Sequence, residues 1–142
     1  MARPTRRELE ATFFAYNKLL FGGKLPYIPV HRRRMACNAF WEEPTDADPR
    51  YPTGLICIST SVEMTCGWQG ALLHEQIHAS CYYKGGPDEF ALGESPDHGP
   101  HFTAEANRVG ALLGFPPVCV DLAWNWPECL DLDFWPEPAV DE

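Results

Sequence analysis

The sequence predicts one α+β domain in which three helices accompany a small three-stranded sheet. The helices are predicted from two segments with apolar residues at helical spacing and from a third helical segment that starts at a proline. The sheet is predicted from three short segments of β-type composition. A chain of 142 residues, 45% hydrophobic and 13% aromatic, is large enough to build a single core. We assign residues 1–114 to this domain and residues 115–142 to an acidic extension rich in Trp and Pro, packed on the domain or trailing from it.

The first helix is predicted from a capping box followed by an apolar stripe. Thr5 and Glu8 have the spacing of a capping box. Apolar residues then recur at helical intervals at Leu9, Phe13, Tyr16 and Leu20. Gly22 and Gly23 suit the left-handed conformation that closes a helix, so we expect about four turns that end there.

Three segments are predicted to be strands, at residues 28–34, 35–42 and 54–60. The third (GLICIST) is rich in the β-branched residues that favour a sheet. Because short connections join the three, we expect an antiparallel sheet.

Two more helices are expected after the sheet. One begins near Thr65 and carries apolar residues as far as Ala79. The other starts at Pro100, a residue suited to the first helical position, and runs to Leu113 with Gly114 as its stop.

Charge and hydropathy limit the kinds of partner that the protein is expected to have. Residues 1–34 hold eight of the eleven Lys and Arg against two acids, although the whole chain has a net charge of -9. Nucleic acid is therefore a candidate partner through the basic segment 3–34, but the overall charge favours a solvated surface.

No apolar run approaches the roughly 20 residues of a membrane span. No signal-peptide pattern is seen at the N-terminus, so we expect a cytoplasmic protein without a membrane partner.

The six cysteines lack the paired spacing of a zinc ribbon. Without a secretory signal, disulfides are not expected either. We predict buried, reduced thiols.

The strongest chemical signal is the segment LLHEQIHA at residues 72–79. On a helix, His74 and His78 lie one turn apart on one face, where both imidazoles can reach a single Zn²⁺. Glu75 is placed to act as general base on a water held by the metal. This pattern predicts a zinc metallopeptidase.

Spacing alone leaves the third ligand open. The metzincin position falls on Lys84, whose charge would repel a metal, so that arrangement is excluded. A glutamate ligand would have to come from Glu89, Glu94 or Glu105, and none lies in a matching motif. The remaining histidines are His31, His98 and His101.

Three motifs in order resemble the SprT-like zinc metalloprotease domain of the Spartan/SprT family. They are residues 16–26 (YNKLLFGGKLP), residues 72–79, and residues 98–102 (HGPHF), so the resemblance covers most of the chain. It implies a zincin-like fold with His98 as the third zinc ligand. Two departures are a longer loop between His78 and His98 and an acidic, Trp-rich tail in place of the C-terminal zinc ribbon of some members.

The expected activity is hydrolysis of peptide bonds in a protein or peptide substrate by a zinc metalloendopeptidase. Tyr82, Tyr83 and His101 are candidate substrate or transition-state contacts because they lie near the motifs. One alternative is a zinc-stabilised interaction domain without catalysis, which would have no need of Glu75. Another is a nucleic-acid-associated protease that acts on DNA-bound proteins.

Overall fold

A computed structural model describes residues 4–37, 39–61, 67–84 and 100–114. These residues form three helices and one sheet, which confirms the α+β class. In chain order the elements are α1 (Arg6–Leu20), β1 (Val30–Arg33), β2 (Ala39–Glu42), β3 (Leu55–Ser59), α2 (Gly67–Tyr83) and α3 (Pro100–Leu113). The predicted extension 115–142 lies outside the described residues.

Helix α1 begins and ends as its sequence predicts. The Thr5 hydroxyl accepts a hydrogen bond from the Glu8 N–H at 3.0 Å, and the Thr5 N–H donates to the Glu8 carboxylate at 2.8 Å. After the last turn, Gly22 and Gly23 have φ of 63° and 72°. The buried Asn17 side chain then donates to the Leu25 carbonyl and accepts from the Leu25 N–H, at 2.9 and 3.1 Å. These bonds fix the turn that leads towards the sheet.

The sheet is mixed, so the prediction of an antiparallel sheet is wrong for one of its two pairings. The strand order is β1-β3-β2, with β3 antiparallel to β2 but parallel to β1. The prediction assumed that strands joined by a short connection pair with each other. Instead, the longer connection after β2 lets β3 return between the other two strands, where all five of its residues are buried.

The helices cover one face of this sheet. Helix α1 packs on β1, while α2 contacts α1, α3, β2 and β3. The core that they enclose includes Leu9, Phe13, Tyr16, Val30, Ile56, Ile58, Leu72, Leu73, Ile77, Phe102 and Val109. Eleven of the seventeen α2 residues are buried, so the helix that carries the candidate chemistry is also the central helix of the described fold.

Two further predictions concern helix α3 and the cysteines. The α3 boundaries are those predicted, with Gly114 at φ 79° directly after the last helical residue. Cys57 and Cys81 are free thiols, buried and half-buried, but Cys37 is exposed, which departs from the expected burial. None of the helices in the described part of the chain combines the length and apolar character that a bilayer crossing requires.

Candidate metal centre

Helix α2 brings the two predicted ligands of its HExxH segment together. His74 is only 2% exposed and His78 is half-buried. Their Nε2 atoms lie 3.2 Å apart, with the ring planes at 73° to each other. The helical spacing therefore turns both imidazoles toward one small volume, as the sequence predicts.

This separation fits a shared zinc ion. Two nitrogens that each lie about 2.05 Å from a tetrahedral zinc are separated by about 3.3 Å. The observed 3.2 Å agrees with that value. The same distance also suits an N–H···N hydrogen bond when one of the two rings carries its proton on Nε2. In either case the pair is preassembled by the helix.

Helix α3 contributes an aromatic wall to the pair. The Phe102 ring centroid lies 4.8 Å from that of His74 and 4.4 Å from that of His78. Phe102 is 1% exposed, so its ring is held by the core. Because one fixed ring touches both imidazoles, it limits how far either of them can rotate.

The side chains next to His74 tie the site into the protein interior. Glu75 is 7% exposed, which places its carboxyl group within the protein rather than on an open helix surface. Gln76 is fully buried and donates a hydrogen bond of 3.2 Å to the Phe13 carbonyl of α1. This bond between helices opposes rotation of α2 about its own axis, and hence of the His–Glu face.

The predicted third ligand, His98, lies outside the described residues. Among the residues that are described, no group of three or more His, Cys, Asp or Glu side chains is arranged to hold a metal. The described chain resumes at Pro100, two residues after His98, and Phe102 in the same helical turn touches both imidazoles. The assignment of His98 therefore stays a prediction.

Other histidines occupy different positions. His31 of β1 pairs with Cys57, while its neighbour Val30 pairs with the core residue Ile56. Since successive side chains of a strand point to opposite faces, His31 lies on the sheet face opposite to that of Val30 and Ile56, which pack in the core with α2. His101 is exposed in the first turn of α3. Its carbonyl accepts a hydrogen bond of 3.6 Å from the Cys81 thiol.

Glu105, one of the three glutamates considered as ligands, is committed to a different cluster. It is 6% exposed and accepts hydrogen bonds from Ser80 at 2.6 Å, Lys84 at 2.7 Å and Arg108 at 2.8 Å. Burial raises the pKa of this carboxyl, but the bonds from Arg108, Lys84 and Ser80 outweigh burial and hold the pKa at about 2. The cluster fastens the end of α2 to α3.

The two candidate tyrosines meet a third aromatic residue that the sequence did not single out. Tyr82 and Tyr83, in the last turn of α2, contact the ring of Trp41 from β2, with centroids 5.9 and 6.4 Å away. The Tyr83 hydroxyl donates to the Thr53 carbonyl at 2.7 Å. The sequence pointed only to the two adjacent tyrosines of this cluster. It could not point to Trp41, because the position of Trp41 depends on how the strands pair.

Several arginines of the basic segment 3–34 make contacts within the protein. Arg32 donates a hydrogen bond of 2.9 Å to the Pro4 carbonyl. The Arg33 guanidinium lies 5.9 Å from the centre of the Phe40 ring, and Arg6 forms an ion pair with Glu10. These contacts give part of the segment a role in the fold itself.

No protein-family model matches this chain, and no curated protein matches it. The likeness to SprT-like domains therefore rests on the three sequence motifs.

Proposed function

We propose that this chain is a zinc-dependent metalloendopeptidase with a zincin-like fold, of the SprT-like kind that its motifs resemble. The observation that carries the proposal is the 3.2 Å separation of the His74 and His78 Nε2 atoms on a buried helix. That separation is the one that two ligands of a tetrahedral zinc require. His98 is the third ligand in this proposal, by its place in the HGPHF motif.

The residues of the chain divide the work between binding and proton transfer. His74, His78 and His98 would hold the metal and leave one coordination position open. Bound zinc lowers the pKa of a water ligand and polarises a carbonyl group. Glu75 would take up the proton of the attacking water and pass it to the departing amine. Phe102 would keep the two α2 imidazoles in their binding orientation, and Gln76 would keep α2 from turning.

The sheet offers a place for an extended substrate. Within the described chain, β2 has β3 on one side and no strand on the other, and β2 lies against α2. A free strand edge presents backbone N–H and C=O groups that a peptide can pair with. We therefore place the peptide along β2, beside the helix that carries His74 and Glu75.

Metal analysis and activity together test the proposal. The parent protein should bind about one zinc per chain, since a single site of this type holds one ion. His74→Ala and His98→Ala should lose that zinc, whereas His31→Ala, a histidine on the other face of the sheet, should keep it. Glu75→Gln should also keep zinc but cleave casein about 10² to 10⁴ times more slowly, the usual contribution of a general base.

Three results would redirect the assignment. Zinc that is retained in His98→Ala would remove His98 from the ligand set. Full protease activity in Glu75→Gln would exclude the proposed proton transfer. Zinc with four protein ligands and no cleavage of any protein would indicate the interaction domain instead, because structural sites have no open position.

A further inference from the structure

The end of α2 and the edge strand β2 form what we call the aromatic corner, which consists of Trp41, Tyr82 and Tyr83. The two tyrosine rings are 4.9 Å apart and nearly perpendicular, and both contact Trp41. Tyr82 and Tyr83 are 40% and 38% exposed. Large aromatic surface therefore stays in contact with water at this point.

Two of the three rings are fixed to the framework. The Tyr83 hydroxyl is bonded to the Thr53 carbonyl at 2.7 Å. Trp41 lies so close over Gly54 that a Cβ atom there would be 2.4 Å from the indole ring. A rigid aromatic surface loses little conformational freedom when a ligand binds to it, which favours its use in recognition.

The aromatic corner adjoins the candidate metal centre. His74, His78 and Tyr82 follow one another at intervals of four residues, so Tyr82 lies about one helical turn, roughly 5 Å, beyond His78. Trp41 pairs with the core residue Ile56 and so lies on the helix side of the sheet. A peptide added along β2 would place alternate side chains on that same side, next to Trp41.

Charge and polarity at the corner favour an apolar ligand. Lys84, which follows the two tyrosines, is bound to the carboxylate of Glu105. Glu42 follows Trp41 on β2 and so lies on the opposite face of the sheet. These two charged groups are thus paired or on the other face, and the exposed ring surface of the corner gains most from packing against other apolar groups.

We propose that the aromatic corner is a substrate subsite that accepts a large apolar or aromatic side chain of the bound peptide. This inference rests on the proposed peptidase function and adds a substrate preference to it. Tyr82 is the member that makes direct contact, while Trp41 and Tyr83 hold its ring in place. The preferred side chain belongs to a residue near the scissile bond, because only about one helical turn separates Tyr82 from His78.

The binding test uses the Glu75→Gln protein, which should not consume its ligand. The probes are short blocked Ala/Ser peptides in which one Phe, or in a matched set one Asp, is moved through every position. At one position the Phe peptide should bind about 5- to 10-fold more tightly than the Asp peptide, as expected for one aromatic contact. Tyr82→Ala, made in this background, should reduce that preference to less than about twofold.

Two further variants make the result specific to the corner. Phe14→Ala removes an aromatic residue of α1 that is 68% exposed, and it should leave the preference intact. Tyr82→Lys places a positive charge at the corner, so the Asp peptide should then bind more tightly than the Phe peptide. A Phe preference that survives in both Tyr82 variants, or equal binding of the two peptides at every position, overturns the proposal.

Measurements of proteolysis and of nucleic-acid binding distinguish the subsite proposal from the peptidase proposal. If the parent protein cleaves nothing but the Phe preference is present and depends on Tyr82, the subsite stands and the peptidase proposal fails. If casein is cleaved with no preference for large apolar residues, the peptidase stands and the subsite is overturned. Oligothymidylate that binds more tightly than any peptide, and loses affinity in Tyr82→Ala, overturns the proposal in favour of base stacking.

Discussion

Replacement of Glu105 by Gln should weaken the fold in a way that depends on pH. The substitution keeps the shape of the side chain but removes the charge that Ser80, Lys84 and Arg108 bind. The pKa of this carboxyl is held at about 2, compared with its ordinary 4.5, because the hydrogen bonds outweigh burial. The ionised form is therefore more stable in the folded chain than in the unfolded one.

The size of the effect follows from the pKa and from the exposure of the partners. The lowering of this pKa corresponds to about 3 kcal/mol of preference for the ionised form. The Lys84 and Arg108 side chains are 54% and 40% exposed, so water screens part of their attraction. We expect Glu105→Gln to lower the free energy of unfolding by about 1 to 2 kcal/mol at pH 7.

The sign of the pH dependence is fixed by the lowered pKa. The contribution of Glu105 is fully present above the unfolded value and is lost as pH falls through the folded one, between about pH 5 and pH 2. Urea unfolding of the parent and the Glu105→Gln protein at a series of pH values measures the difference. It should shrink toward zero in acid, where protonated Glu105 resembles Gln.

A second charge-neutral variant supplies the control. Glu43→Gln makes the same change at an exposed position and should show a difference below about 0.5 kcal/mol at every pH. A Glu105→Gln effect that stays constant from pH 7 to pH 3, or one matched by Glu43→Gln, would refute the reasoning from the buried carboxylate.

Three further predictions concern the fold and the candidate site. Gly54→Ala should destabilise by about 2 to 4 kcal/mol, since φ is 99° and the new Cβ would meet the Trp41 ring. Gly23→Ala, with similar φ but open space, should cost only about 1 kcal/mol in the same thermal unfolding assay, and equal losses would contradict this account. Asn17→Ala removes both bonds that close the turn after α1 and should cost about 2 to 3 kcal/mol in urea unfolding; a loss under 0.5 would show that the turn holds without them. Phe102→Leu should weaken zinc binding about 10-fold in a chelator competition while stability changes by less than about 1.5 kcal/mol, and unchanged affinity would exclude the orienting role.

Local signals in the sequence predicted the helices well because the interactions that start and stop them are local. The bond pair between Thr5 and Glu8 spans three residues, and Gly114 ends α3 by its own backbone freedom. The candidate metal-ligand pair is also local, since helical spacing alone brings the Nε2 atoms of His74 and His78 to 3.2 Å from each other. Each of these features could be predicted before any tertiary contact was known.

Features that depend on contacts between distant segments were not predictable from spacing. The parallel pairing of β1 with β3 joins residues separated by β2, and no local pattern distinguishes it from an antiparallel meander. The wall that Phe102 forms on the two histidines, and the use of Glu105 by Ser80, both require α3 to lie against α2. The place of Trp41 beside Tyr82 requires the β2 register.

The strand order has a consequence for synthesis on the ribosome. Among the strands of the described residues, β1 and β2 are made first, yet the strand that pairs with both of them, β3, is made after them and takes its place between them. In this strand order β1 and β2 do not pair with each other, so both remain without their folded partner until Leu55–Ser59 has also left the ribosome. The arginines at the end of β1 carry like charges that discourage such strands from joining those of another chain. The positive charges of β1 thus oppose premature association of the nascent chain.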